Sequence, residues 1–302
     1  MKLIRSEQGS AFILTVVFMS VLITLFALNV DGGMLFLSKS KLQKSLDSAV
    51  LAGAQNLPDR PDLAQTEAQK TVIANGISNR VNIDFNSEYT SIHADSTEEE
   101  SILFNRVLGL EQTGVHASAK VQLIPLISGM GAIPLGVQAG TPLIFGTQVQ
   151  LKAGTSNVGN FGALALNGPG AKDYETNLTY GYNSELDVND ILDTQTGNIT
   201  QPTIRAIESR MTSCPMQGSA SYTDYPTDCP LVVLIPVYDP ILDASNQMKQ
   251  VKIVGFASFF LESVGPTNDG AIVTGRFIQK TYSGSTSPTQ PSYGAYGYRL
   301  IE

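Results

Sequence analysis

The chain has 302 residues, 42% of them hydrophobic and 15% charged, with a formal net charge of −8. That apolar share supports a packed core and excludes an intrinsically disordered chain. The acid excess argues against a nucleic-acid partner, which needs a basic face to neutralise phosphates. The length allows one large domain or two small ones. Gly, Thr, Ser and Asn are frequent, and beyond the first third there are no long charged helical runs, so a β-rich body is expected.

In chain order, residues 1–10 carry Lys2 and Arg5 against one acid, Glu7. Residues 11–30, AFILTVVFMSVLITLFALNV, contain no charge and have the length of about 20 residues that crosses a hydrocarbon core as a helix. A cleaved secretory signal fits less well. Its apolar region is usually roughly 7–15 residues, and its cut site takes small residues, whereas Ala27-Leu28-Asn29 places Asn29 in the last small position. A soluble core helix would show a polar face, and this segment is apolar all round. A retained transmembrane helix is therefore expected. Lys2 and Arg5 put the N-terminus in the cytoplasm, although Lys39, Lys41 and Lys44 follow on the far side. The acidic remainder is expected outside.

Residues 31–56 continue at helical spacing. Leu35, Leu42, Leu46, Ala49 and Val50 form a narrow apolar stripe, with Lys39, Lys41, Lys44 and Asp47 mostly off it. One continuous helix from about residue 8 to 55 is predicted, embedded first and amphipathic later. Asp31 would lie at the membrane surface, and Gly32-Gly33 is a possible bend. Pro58 and Pro61 end the helix, and a second begins near Asp62, a candidate cap.

Residues 57–138 read as a first α/β lobe, with VHASAKVQLI as a half-buried strand. Residues 139–282 read as a β-rich second lobe. Its helix TIRAIESRM has Pro202 near its start, and its strongest strands are PLVVLIPVYD, QVKIVGFASFFLES and AIVTGRFIQKTY. Residues 283–302, rich in Ser, Gly, Pro and Tyr, read as a flexible tail. The fold class is α+β: a long transmembrane-plus-amphipathic helix followed by a β-rich extracytoplasmic body.

Candidate chemistry is sparse. His93 and His116 are the only histidines, and no Gly-x-Ser-x-Gly elbow accompanies them, so no triad is expected. GNFG at 159–162 lacks the Gly-Lys-Ser/Thr of a phosphate loop. Asp187, Asp190 and Asp193 are spaced wrongly for a calcium loop and read as a polar helix face or a turn. Asn177-Leu-Thr fits a glycosylation acceptor. No catalytic residue, cofactor or metal is expected. Cys214 and Cys229 flank a short polar loop and are predicted to form a disulfide outside the cytoplasm.

The N-terminal pattern resembles TadG-like proteins of the Tad (Flp) pilus assembly machinery. The matching positions are Val30-Asp31, Leu42-Gln43, Asp47, Ala49, Leu51-Ala52 and Ala54, with Ser48 and Val50 where the family often has alanine. RVLGL (106–110) with VHASAKV (115–121) is similar more loosely, as are GNFGALAL (159–166) and GNITQPT (197–203). Some such proteins carry a von Willebrand factor A domain with an Asp-x-Ser-x-Ser metal motif. DASNQ from Asp243 lacks the second Ser, so that domain is not expected. Gly9 is not followed at the fifth position by the glutamate of a prepilin signal, which argues against a major pilin.

The resemblance implies a membrane-anchored structural or assembly component that works by protein–protein packing. Membrane lipid and other pilus-assembly or pseudopilin-like proteins would be its partners. Asp31, Leu35, Leu42, Gln43, Leu46, Asp47 and Ala49 are the expected interface and helix-packing residues, with Asp31 pairing a cation on a partner. The alternative reading is a membrane-anchored module binding a surface glycan or peptide through Tyr293, Tyr296 and Tyr298.

Overall fold

A computed structural model describes residues 8–77, 81–102, 112–154, 161–242, 248–268 and 270–301. The chain opens with one helix, α1 (Gln8–Ala54). It passes through Gly32 and Gly33 without interruption and at 47 residues is about 70 Å long. A methyl group added at either glycine would meet nothing within 4 Å. Its first half is bare, with Phe12, Phe18 and Phe26 among many exposed apolar side chains. Its second half is built into the body.

The turn after α1 ends at α2 (Pro61–Ala74), where Pro61 takes the first helical position and Arg60 the cap position. Asp62 is thus inside the first turn rather than the cap. There its charge opposes the positive end of the helix dipole.

Next come β1 (Asn82–Phe85), β2 (Ser91–Ser101) and β3 (Gln112–Pro125). Period-2 alternation turns Ile92 and Ala94 of β2, and Ala117, Ala119, Val121 and Leu123 of β3, toward the helices. They share one core with Leu42, Leu46, Ala49, Val50 and Ala54 of α1 and Ala64, Ala68 and Val72 of α2. The helices come so close that a Cβ on Gly53 would lie 2.6 Å from Ile92 Cδ1 and 2.9 Å from the Ala64 carbonyl oxygen.

The chain then crosses β4 (Ser128–Gly129) and β5 (Leu135–Gln138) and continues through β6 (Gln148–Gly154), β7 (Phe161–Ala165), α3 (Ala171–Tyr180), β8 (Leu186–Asp187), β9 (Ile191–Thr194) and α4 (Thr200–Ser213). Three long strands follow, β10 (Val232–Leu242), β11 (Met248–Thr267) and β12 (Gly270–Ile278). The seven-stranded sheet runs β10-β5-β7-β9-β11-β12-β6, and a further β10–β11 pairing closes five of these strands into a ring. Helices α3 and α4 contribute Tyr174, Leu178, Ala206 and Ile207 to a core with Val233, Ile235, Phe259 and Phe277.

Last are β13 (Lys280–Thr281) and β14 (Ala295–Ile301). The segment read as a flexible tail is therefore partly a strand. β14 pairs antiparallel with β3 from Tyr296↔Pro125 to Ile301↔Lys120, completing a five-stranded sheet of order β1-β2-β3-β14-β13. The Ser/Gly/Pro-rich front of the tail is the connection, and the Ala-Tyr-Gly-Tyr end is the strand. The expected division at 138/139 shifts accordingly, because β5 already belongs to the second sheet and β13–β14 return to the first.

Candidate functional site

The face of α1 that meets the body is the main candidate surface. Leu42, Leu46, Ala49 and Val50 are fully buried. The same face, followed at helical steps toward the N-terminus, carries Ser38, Asp31 and Ala27. Ser38 Oγ donates to Glu100 Oε1 at 2.7 Å, so β2 runs beside the helix at this level. Asp31 is only 2% exposed and is engaged rather than free. Asp31, expected at the membrane surface, has its carboxylate turned inward, on the side of α1 that packs against its own chain. Leu35 is half-buried.

Gln43 also turns toward the body. Its side-chain amide donates to Asp47 Oδ1 at 2.9 Å and to the Ser118 carbonyl at 2.7 Å. Pairing of β14 with β3 is registered only between Lys120 and Pro125, so Gln43 satisfies a carbonyl just past that ladder. Gln43, Asp47, Ser118, Ala119, Leu300 and Ile301 line a shallow cavity of about 300 Å³.

The opposite face of α1 stays apolar and exposed beyond Asp31. Val30 and Met34 are open, Phe36 is 76% exposed and Leu37 69%. Lys39, Lys41 and Lys44 follow, all exposed.

A second group of residues ties the end of α1 to the larger sheet. Arg60 Nη1 donates to the Tyr225 carbonyl at 2.9 Å, and its guanidinium lies 4.3 Å from the Tyr225 ring centroid. Asp59 accepts from the Gln279 N–H at 3.0 Å, and Thr281 donates to the Gln55 carbonyl at 3.0 Å. Desolvation pushes the Asp59 carboxyl up to about 6, against the lowering by the Gln279 hydrogen bond and Arg60.

Tyr225 belongs to the loop between Cys214 and Cys229. The two sulfurs are buried and 3.3 Å apart, not the ~2.05 Å of a bond. The structure therefore holds two thiols where a disulfide was expected. Burial foremost pushes the Cys229 thiol up to about 11, which keeps it protonated and a weak nucleophile at neutral pH.

Asp84, His93 and Asp95 bring ligand atoms within 4.8 Å of one another on β1 and β2. Local spacing hides this group, because Asp84 and His93 meet only as cross-strand partners. The Asn82 amide already donates to Asp84 and Asp95, at 2.6 and 3.3 Å. Lys120 is the register partner of His93 and adds a cation to the same face. The arrangement is that of a polar, partly solvated sheet face.

His116 is an exposed residue of β3. Asn177 is buried within α3, so the expected glycosylation acceptor is inaccessible in the folded chain. Asp187, Asp190 and Asp193 lie around the turn between β8 and β9, with Asp190 Oδ2 accepting from the Asp187 N–H at 2.9 Å. The Asp243 fragment lies outside the described residues.

These features define a protein with one N-terminal helix long and apolar enough to span a membrane, the far half of which is an integral part of a folded α+β body. Residues 9–56 match the family described as "Putative Flp pilus-assembly TadE/G-like", so this segment is similar to the Tad domain of that family. The match covers α1 and the turn that follows it. No curated protein and no solved structure matches the chain.

Proposed function

We propose that this protein is a membrane-anchored structural component of a Tad-type (Flp) pilus assembly apparatus, with α1 as its single anchor and residues beyond it outside the cytoplasm. The observation that carries the reading is the coincidence of the family match at 9–56 with a helix that is bare in one half and fixed into a body in the other. A helix held this way transmits the position of the anchor rigidly to the body, as an assembly scaffold requires. The action is packing. Leu42 and Leu46 serve the protein's own core, so the surface left for partner helices is the exposed side carrying Phe18, Phe26 and their neighbours.

The glycan- or peptide-binding alternative loses its support in the tail. Tyr296 is buried, and Tyr293 packs over Gly255, where a Cβ would lie 2.5 Å from its ring.

The test is a chromosomal deletion, complemented by chains with photo-crosslinking residues at Phe18 and Phe26. The expected result is loss of pili on deletion and crosslinks to another pilus-assembly protein on complementation. Normal piliation in the deletion strain would overturn the proposal.

A further inference from the structure

The sequence places the outer edge of the membrane at Asp31, the first charge after the apolar run. The structure removes that reason, because Asp31 is buried against its own chain and presents no charge outward. On the outward side of the helix the apolar surface continues through Val30, Met34, Phe36 and Leu37. The first outward charges are Lys39, Lys41 and Lys44, and lysines are suited to the headgroup level because their stems lie along apolar surface while the ammonium reaches polar ground.

Resting on the anchor reading above, we infer that the hydrocarbon boundary lies between Leu37 and Lys39, so that the outward face of α1 is in lipid for two turns beyond Asp31. The occupant of the Met34–Leu37 face is the bilayer itself, with which the exposed surface below it is continuous. The boundary thus lies about seven residues of helix beyond Asp31, which moves it outward by about 10 Å. The exposed apolar stretch from Phe12 to Leu37 is then about 39 Å long, longer than a hydrocarbon core of ~30 Å, and the helix accommodates it by tilting. Asp31 becomes a carboxylate at hydrocarbon depth that is tolerated because the protein encloses it. The Ser38–Glu100 contact sits at the headgroup level, and the body rests on the membrane rather than standing off it.

The experiment uses the full chain with Cys214→Ala and Cys229→Ala, reconstituted in phosphatidylcholine/phosphatidylglycerol vesicles. Single nitroxide labels go at Phe18, Phe26, Met34, Leu37, Lys41 and Lys44. Collision with oxygen reports lipid, and collision with a water-soluble nickel chelate reports water, whichever way the protein is inserted. Met34 and Leu37 are expected to behave like Phe26, with nickel-chelate accessibility several-fold below that of Lys44. If Met34 and Leu37 match Lys44 while Phe18 and Phe26 remain lipid-like, the boundary is at Asp31 and this inference fails while the anchor stands. Low access to both reagents at Met34 and Leu37 would mean a protein covers them, which also overturns it. Water-like values at Phe18 and Phe26 would overturn the anchor reading and this one together.

Discussion

At the residue scale, Gly53 and Gly33 occupy the same helix for different reasons. Gly53 lets α1 approach α2 and β2, and a methyl group there meets the Ala64 carbonyl, which is backbone and cannot step aside cheaply. Overpacking costs about 1–3 kcal/mol, against a gain of ~1 kcal/mol in helix propensity. Gly53→Ala is therefore expected to lower stability by about 1 kcal/mol, whereas Gly33→Ala, with open space around it, should not lower it. Chemical unfolding of both variants in micelles checks the contrast.

Asp59 gives a pH dependence at the same scale. Its folded-state value, about 6, lies above the ordinary 3.8, chiefly through desolvation. A carboxyl raised in this way favours folding while protonated, so its contribution is full below the unfolded value and is lost as pH rises through about 6. The residue itself remains exposed, and solvent screens part of the effect. Asp59→Asn keeps an acceptor for the Gln279 N–H and removes the charge. Its Tm is expected to exceed that of the parent at pH 7, with the gap closing toward pH 4. A gap that does not change with pH would contradict this account.

At the element scale, β14 is the sharpest case. Tyr296 is buried in the core shared by the first sheet and α1, and its hydroxyl accepts from Gln279 Nε2 at 3.0 Å and from Ser292 Oγ at 2.7 Å. Removing a buried aromatic ring costs roughly 3 kcal/mol or more, so Tyr296→Ala should lower the thermal midpoint of the body sharply. A mobile tail would give no change. Without β14, β3 would also present a bare edge, a template for aggregation.

These two elements show what the sequence could and could not reveal. α1 is legible because its signals are local: an unbroken apolar run and then Leu42, Leu46, Ala49 and Val50 at helical steps. β14 is not, because its Ser/Gly/Pro-rich approach resembles a linker and its partner β3 is remote in sequence. Asp31 shows the same limit at a single position. Its chemistry marks it as a boundary, and only long-range packing turns it inward.

At the scale of the whole molecule, the turn between α1 and α2 is joined to the part of the chain that carries the larger sheet by a small polar and aromatic junction. Asp59 and Arg60 reach Gln279 and Tyr225, and the Cys214–Cys229 loop carries Tyr225 into that contact. Both sulfurs are buried thiols, so Cys214 and Cys229 are expected to resist alkylation in the folded protein and to react at once after denaturation without reductant. Alkylation that requires prior reduction would contradict this account.

The pairing of β14 with β3 also sets a timetable. The packing partners of α1 in the first sheet are made early, but the sheet lacks its fourth and fifth strands until residues 280–301 have been synthesised. Throughout translation of the larger sheet, β3 waits with one side unpaired beside a helix that is already bound for the membrane. The anchor is thus made well before the strands that complete the body fixing its direction.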